Sequence, residues 1–357
     1  MDVLDARDGA CRACFAGWLA VQRRYALAPE KLPAEVRSTR ALAVPLSLAS
    51  VPALGAAEAE RALAGLAQLG VVGVPIASPA YPERLRRLPD APALLLVRGT
   101  AALLLVRAVA IVGARAPTEL GRVTARRLAF DLARSGLAVV SGLARGIDAA
   151  AHEGALAAGG ATLAFQACGP DLVYPAAHRA LAGRIAGQGA VLTEFPPGTP
   201  PLAAYFPLRN RLISALAEAV IVVEARERSG SLVTARCAAD QGVEVWAVPG
   251  PIDAPTSLGP NRLIQQGAKL LLDAADVLHE LGIAPPAAAA RAAQPEGTLA
   301  RTILRMLRRR TLTRDALGRE LARPPSELAA ALLELELAGR LREDRDGSLR
   351  VVRAPPL

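Results

Sequence analysis

VVSGLARGIDAAAH, residues 139–152, decides how this chain is read. It begins as a buried strand, turns through a glycine-containing loop, and closes as the first turns of a helix. Val139 and Val140 end the strand. Gly142 and Gly146 permit a tight turn and the close approach of a ligand to the backbone. Asp148 suits the N-cap of the following helix. A helix N-terminus offers unpaired N–H groups and a positive dipole end, so it attracts phosphate. Arg145 adds a cation whose planar fork matches phosphate oxygens. Alone, such a loop is a weak signal, because its glycines can serve geometry only.

The pattern recurs on both sides of this stretch. Apolar runs of strand length stand at Ala108 to Val112, Leu137 to Val140, Ala161 to Phe165, Ala190 to Leu192, Ala219 to Val223 and Glu244 to Val248. They are continuous rather than alternating, as in parallel strands buried on both faces. Helix-like segments such as Gly121 to Ser135 and Ser231 to Gln241 lie between several of them. Strand alternating with helix predicts an α/β fold, a doubly wound and mostly parallel sheet.

Ligands of such sheets bind beyond the carboxyl ends of the strands. The residues unusual for a core collect there. Gly113-Ala114-Arg115 follows the first run, and Ser141 to Gly146 the second. Beyond the fourth run Glu194-Phe195-Pro196 leads through a long loop to Phe206-Pro207-Leu208-Arg209-Asn210-Arg211. Glu224 and then Ser229 to Thr234 follow the fifth, and Pro249-Gly250 and Gly259-Pro260-Asn261 the sixth. Arginine, hydroxyl, amide and backbone N–H groups are phosphate ligands. A purely structural origin would scatter them over both edges, so an anionic ligand is expected. The turn IVGARAPTELG lacks the three-glycine dinucleotide spacing, and no Gly-Lys-Ser/Thr phosphate loop occurs. Neither HExxH nor Gly-x-Ser-x-Gly is present.

The strings VGAR, SGLARGIDAAAH, YP, FPLRNRLI, SGSLVTA, VPG and GPNRLIQQGA occur in that order, from about Tyr81 to Asp276. Together they resemble the DNA-processing protein A (DprA, or Smf) family. The resemblance implies an extended Rossmann-like core that binds single-stranded DNA. It also implies loading of the RecA recombinase during natural transformation, a homodimer through the core, and no enzymatic activity. The chain departs from the family pattern at Ala114, where Ser or Thr is common, and at Leu120, where Tyr is common. Ala167-Cys168-Gly169-Pro170 replaces the usual Gly-x-Gly segment.

The 357 residues carry a net charge of +9, which suits a polyanionic partner. The basic residues are nearly all arginine and alanine is abundant, so coding bias is an alternative source of that charge. Aromatic residues are few, 3% of the chain. Phosphate contacts should therefore dominate over base stacking, with weak sequence preference. Tyr174, Tyr205, Phe195 and Phe206 lie near the binding edge, and the two phenylalanines are assigned to packing ahead of the tyrosines. Cys11, Cys14, Cys168 and Cys237 form neither a disulfide framework nor a metal set. No signal peptide is read at the N-terminus, so a cytoplasmic location with free thiols is expected. Arg98 and Arg107 interrupt the apolar stretch 94–112, which is not a membrane span. His152 lacks a nucleophile partner and is assigned a structural hydrogen bond.

Three domains are expected. Residues 1–80 read as a small helical unit, whose family counterpart is sterile-alpha-motif-like. Residues 81–282 form the Rossmann-like core, and 283–297, IAPPAAAARAAQPEG, have linker composition. Residues 298–357 read as a winged helix: helices at Leu299 to Leu307, Thr313 to Leu321 and after Pro325, then a hairpin around Asp346-Gly347. The third helix carries Glu327, Glu334 and Glu336, which favours protein contact over groove reading for Arg308 to Arg310.

The expected function is a single-stranded DNA-binding recombination mediator, not an enzyme and without a cofactor or metal. Its partners would be single-stranded DNA, RecA, a second copy of the chain and, as a further candidate, single-strand-binding protein. Arg115, Arg145, Arg209 and Arg211 would hold phosphates by charge. Ser141, Gly142, Gly146, Ser229, Gly230 and Ser231 would supply N–H and hydroxyl donors. Asn210, Thr234, Asn261 and Lys269 rank second. The alternative is a nucleotide-processing hydrolase of the lysine-decarboxylase-like Rossmann group, with Glu194 or Glu224 doing the chemistry. The loop Val248-Pro249-Gly250-Pro251 lacks that group's PGGxGT motif.

Overall fold

Ten strands form one sheet: β1 (Leu4–Asp5), β2 (Val71–Pro75), β3 (Leu94–Gly99), β4 (Ala108–Val112), β5 (Ala138–Ser141), β6 (Thr162–Phe165), β7 (Ala190–Thr193), β8 (Ala219–Val222), β9 (Glu244–Ala247) and β10 (Lys269–Leu270). Their order is β1-β2-β3-β7-β6-β5-β4-β8-β9-β10. The computed structural model describes residues 3–27, 29–32 and 54–284. Within the last sixty it describes 298–307, 310–321, 323–324, 327–329, 331–332, 335, 341–344 and 347–351. The six apolar runs become β4 to β9, each within one residue of expectation.

Pairing is parallel from β7 through β10 and antiparallel among β1, β2, β3 and the β3–β7 seam. The continuous apolar runs have a simple cause. Side chains alternate across a strand, and both faces are covered. Val109 and Ile111 meet the helices Glu119–Arg134, Ile147–Ala157 and Ala274–Glu280. Ala108, Ala110 and Val112 meet the helices Tyr205–Leu216 and Gly230–Asp240 on the other face.

The chain divides into two compact units, residues 1–286 and 287–357. The expected boundary at 80/81 is not where the first unit ends. It falls between β2 and β3, which pair over five residues. Leu4, Phe15, Trp18 and Leu66 are buried in the same core as Leu94 and Leu192. The side-chain amide of Gln22 ties this segment to the sheet. It donates to the Glu194 carbonyl at 2.8 Å and accepts from the Leu94 N–H at 2.9 Å. The proline breaks at 33, 45 and 52 lie outside the described residues. No described helix is long and apolar enough to cross a membrane.

The second unit has helices at Thr298–Leu307 and Arg314–Leu321 and a three-stranded antiparallel sheet. That sheet is ordered β11 (Leu312–Thr313), β13 (Ser348–Val351), β12 (Leu341–Glu343). Residues 327–329, 331–332 and 335 are helical, and Leu328, Leu332 and Leu335 are buried with Ile303 and Leu349. This is the helix and hairpin order of a winged helix, as expected. Arg308, Arg309, Leu337 and Asp346 lie outside the described residues. Arg310 pairs with Glu320.

Both tryptophans, Trp18 and Trp246, lie in the first unit. A chain ending at residue 286 is expected to keep a cooperative tryptophan-fluorescence melt. Its midpoint should stay within about 4 °C of the full chain, a change of about 1 kcal/mol. A noncooperative melt would show that the first unit needs the second.

Candidate nucleic-acid interface

β4 and β8 are neighbours, but the chain leaves them in opposite directions, toward β5 and toward β9. The crevice beyond their carboxyl ends is the topological switch point, where open α/β sheets bind ligands. A cavity of about 420 Å³ lies there. Its walls come from residues 112–116 after β4, 226–234 after β8, and the first turns of the helix Tyr205–Leu216. In sequence, 206–211 reads as the end of a loop. Pro207 instead sits in the first helical turn, where a proline's missing N–H costs nothing.

Successive residues on a helix point about 100° apart, so Arg209, Asn210 and Arg211 separate. Arg209 reaches the cavity. Its Nη1 donates to the Gly142 carbonyl at 2.5 Å and to the Phe165 carbonyl, and its Nε donates to Asn210 Oδ1 at 3.1 Å. Burial pushes its pKa down to about 10, against the opposing pull of Asp148, so it is charged at neutral pH. Asn210 donates onward to the Gly230 carbonyl at 3.2 Å.

Arg211 turns away from the cavity, toward carboxylates. Its Nη2 donates to Glu194 Oε2 at 2.6 Å. Its Nε lies 2.9 Å from Asp90 Oδ2 but is not aimed along the N–H, so that contact is an ion pair without a hydrogen bond. Burial pushes Glu194 up to about 7, and Arg211 pulls the other way.

The stretch 141–146 differs in detail from its reading. Ser141 is buried and its hydroxyl donates to the Ile111 carbonyl at 2.6 Å. Gly146, not Asp148, occupies the N-cap. Asp148 is the second helical residue and reaches back, accepting from the N–H groups of Gly142 at 3.2 Å and Ala144 at 3.3 Å. Burial raises its pKa, while Arg209 and those N–H bonds lower it. The loop thus carries its own carboxylate where a phosphate was expected. Gly146 is required for packing. It has φ +81°, and a Cβ there would collide with the Ala114 carbonyl. That carbonyl accepts from the Ile147 N–H at 3.1 Å, which locks the first two loops together. Arg145 is exposed but does not line the cavity.

The 229–234 stretch matches its reading more closely. Ser229 caps the helix Gly230–Asp240, its Oγ 2.7 Å from Ser231 Oγ. Ser229, Gly230, Ser231 and Thr234 all line the cavity. Thr234 is 1% exposed and its hydroxyl takes no hydrogen bond among the described residues. Asn261 and Lys269 lie elsewhere. Asn261 clamps both backbone groups of Gly250. Lys269 sits over the Trp246 ring and pairs with Glu280 at 2.8 Å.

Two cavity residues were missed, Arg226 and Arg228. Both are exposed and make no ion pair among the described residues. They directly follow β8, and reading every residue past a strand's carboxyl end would have found them. Phe206 was assigned to packing, yet it lines the cavity. Arg115 stands 5.2 Å over its ring and Tyr174 meets its edge at 5.6 Å. Phe195 is buried and stacks on Tyr205, as packing predicts. His152 is structural: Nδ1 lies 2.7 Å from Thr162 Oγ1, and burial pushes its pKa down to about 3.

Residues 73–282 match the family model for DNA recombination-mediator protein A, and 286–347 match the DprA winged helix domain. The chain belongs to the DprA/Smf family. It is 40% identical to Escherichia coli protein Smf over 290 residues, 79% of this chain and 78% of that protein. It is 43% identical to Bacillus subtilis DNA processing protein DprA over 62% of this chain and 75% of that one. Among solved structures, Streptococcus pneumoniae DprA shares 43% identity at a TM-score of 0.57, covering 58% of this chain and 73% of that chain. Helicobacter pylori DprA shares 32% identity at a TM-score of 0.53, covering 56% of this chain and 92% of that chain. That structure is described as showing a single-stranded DNA binding mode.

The Arg211–Glu194 pair makes a pH prediction. Glu194 has a folded value above the ordinary 4.5. Its proton therefore stabilises the fold below about pH 4.5, and that contribution is lost as pH rises through about 7. Arg211 offsets the loss by holding the ionised form. Arg211→Ala should cost about 3–5 kcal/mol at pH 8, where it strands a buried charge, and less at pH 5. Urea titrations giving equal costs at both pH values would contradict the pairing.

Proposed function

We propose that this chain is a single-stranded DNA-binding recombination mediator that holds DNA in the β4/β8 crevice. The observation that carries the reading is the set of guanidinium groups around that cavity. Arg115, Arg226 and Arg228 are exposed and make no ion pair among the described residues, while Arg209 forms the wall between them. Unpaired arginines on a concave surface suit phosphate. Phe206 lines the cavity, where an aromatic ring can pack against a base, and such stacking tolerates any base. Thr234 and the Ser229–Ser231 turn add hydroxyl and N–H donors. Such contacts position a strand and read no sequence.

RecA loading is proposed from family membership, as are the homodimer and a cytoplasmic location. The mediator acts thermodynamically, by keeping the strand in an open form that a recombinase can occupy. The hydrolase reading has less support. Glu224 accepts from both the N–H and the hydroxyl of Thr118, and Glu194 is held by Arg211. Neither lines the cavity, and Asp148, which does, is committed to the loop N–H groups.

Arg115→Ala, Arg226→Ala and Arg228→Ala should each weaken single-stranded DNA binding alike for all sequences. Each should lower the slope of log affinity against log salt by up to about 0.7, the value of one phosphate contact on a single strand. Arg145→Ala should do so less, and Asn261→Ala should leave binding unchanged. The purified protein should bind DNA without nucleotide. It should shorten the lag of RecA strand exchange on DNA coated with single-strand-binding protein. Three silent arginine variants would place the DNA elsewhere. Tight binding with no change in the lag would remove the mediator role.

A further inference from the structure

A second and larger groove opens beside the crevice. It has a volume of about 1080 Å³ and runs between the helices Gly230–Asp240 and Leu258–Gln265. These helices follow β8 and β9 in turn, so the groove leads from the carboxyl edge of the sheet, at Ser229 and Gly230, toward Gly242 and Val243 at the other edge. Arg228, Ser229, Gly230 and Val233 line both this groove and the crevice, so the two spaces share one wall. The length along the first helix is about 16 Å for its 11 residues.

The chemistry of the groove is that of a strand-binding channel. Leu232, Val233, Val245 and Leu263 give it apolar lining. Of its two carboxylates, Glu227 pairs with Arg262 at 3.1 Å, and Glu244 lies 3.5 Å from Lys269, which it shares with Glu280. Arg228 and Arg236 are exposed and make no ion pair among the described residues. Arg228 stands at the shared wall, before the helix begins, and Arg236 is the seventh of the helix's 11 residues. The lining therefore carries three arginines against two glutamates over an apolar surface, which suits phosphates above and bases below.

We propose that a single DNA strand does not end in the crevice but crosses the Ser229–Gly230 sill and continues down this groove, with Arg236 holding a phosphate of the continuing strand. This rests on the crevice being the DNA site, and it adds a direction of travel and a second subsite. A nucleic acid strand is favoured over an apolar peptide because Arg228 and Arg236 make no ion pair among the described residues and the groove is continuous with the crevice.

The test is fluorescence anisotropy with labelled oligothymidylates stepped from about 4 to about 16 nucleotides, the range of single-strand site sizes. Affinity should rise with length in the wild type. Arg236→Glu, an exposed substitution, should leave the shortest probe unaffected and weaken the longest about tenfold, while Arg115→Ala weakens every length. Circular dichroism melts would confirm that both variants fold. If Arg236→Glu is silent at every length while Arg115→Ala weakens all, the crevice stands and the groove proposal is overturned. If Arg115→Ala is also silent, the crevice reading fails as well. A change in sedimentation mass for Arg236→Glu, with long-probe affinity intact, would make the groove a contact between copies of the chain and overturn the proposal.

Discussion

The buried guanidinium of Arg209 holds the crevice together. It comes from the helix after β7, yet it donates to the Gly142 carbonyl beyond β5 and to the Phe165 carbonyl at the end of β6. Three elements distant in sequence thereby meet at one planar group. Asp148 opposes the effect of burial on that guanidinium and accepts from the Gly142 and Ala144 N–H groups. Desolvating two charges is costly unless their hydrogen-bonding capacity is used, and here carbonyls and N–H groups use it. A Cβ at Gly142 would lie 2.6 Å from Arg209 Nη1, so any larger residue there would displace the guanidinium. The loop, the helix and the residue type of the turn are one solution to a single packing problem.

That arrangement separates cations by job. Arg209 and Arg211 are buried and committed to the protein's own oxygens. Arg115, Arg226 and Arg228 are exposed and make no ion pair among the described residues, so they are available to an anion. Buried cations fix the shape of the crevice, and exposed ones give it charge. Phe206 links the two groups, since both Arg115 and Arg209 lie within 6 Å of its ring centre.

Much of the fold was legible because its physics is local. Continuous apolar runs mark strands covered on both faces, and all six became parallel strands. The winged helix was equally readable from its helix and hairpin order. The edge of the sheet was harder. β2 and β3 pair antiparallel with each other, and their outer partners β1 and β7 lie far off in sequence, so no continuous local pattern separates them from a neighbouring helical segment. At the crevice, sequence named loops that line the cavity but not which of their polar atoms are left free. Ser141, Gly142 and Arg211 have the residue types of phosphate ligands, and each is used internally. Whether a donor is spent or free depends on contacts such as Asp148 to Gly142 and Arg211 to Glu194, which no spacing rule reveals. Arg226 and Arg228 carry no motif, and only their place after β8 marks them.

The central claim is that single-stranded DNA lies against Phe206 at the β4/β8 switch point. Photocrosslinking with an oligothymidylate carrying 5-iododeoxyuridine tests it most directly, followed by mass spectrometry of the adducted peptides. Adducts are expected on the segment containing Phe206, with Tyr174 as the other aromatic within reach. Adducts confined to residues 298–351, with none in the crevice, would contradict it.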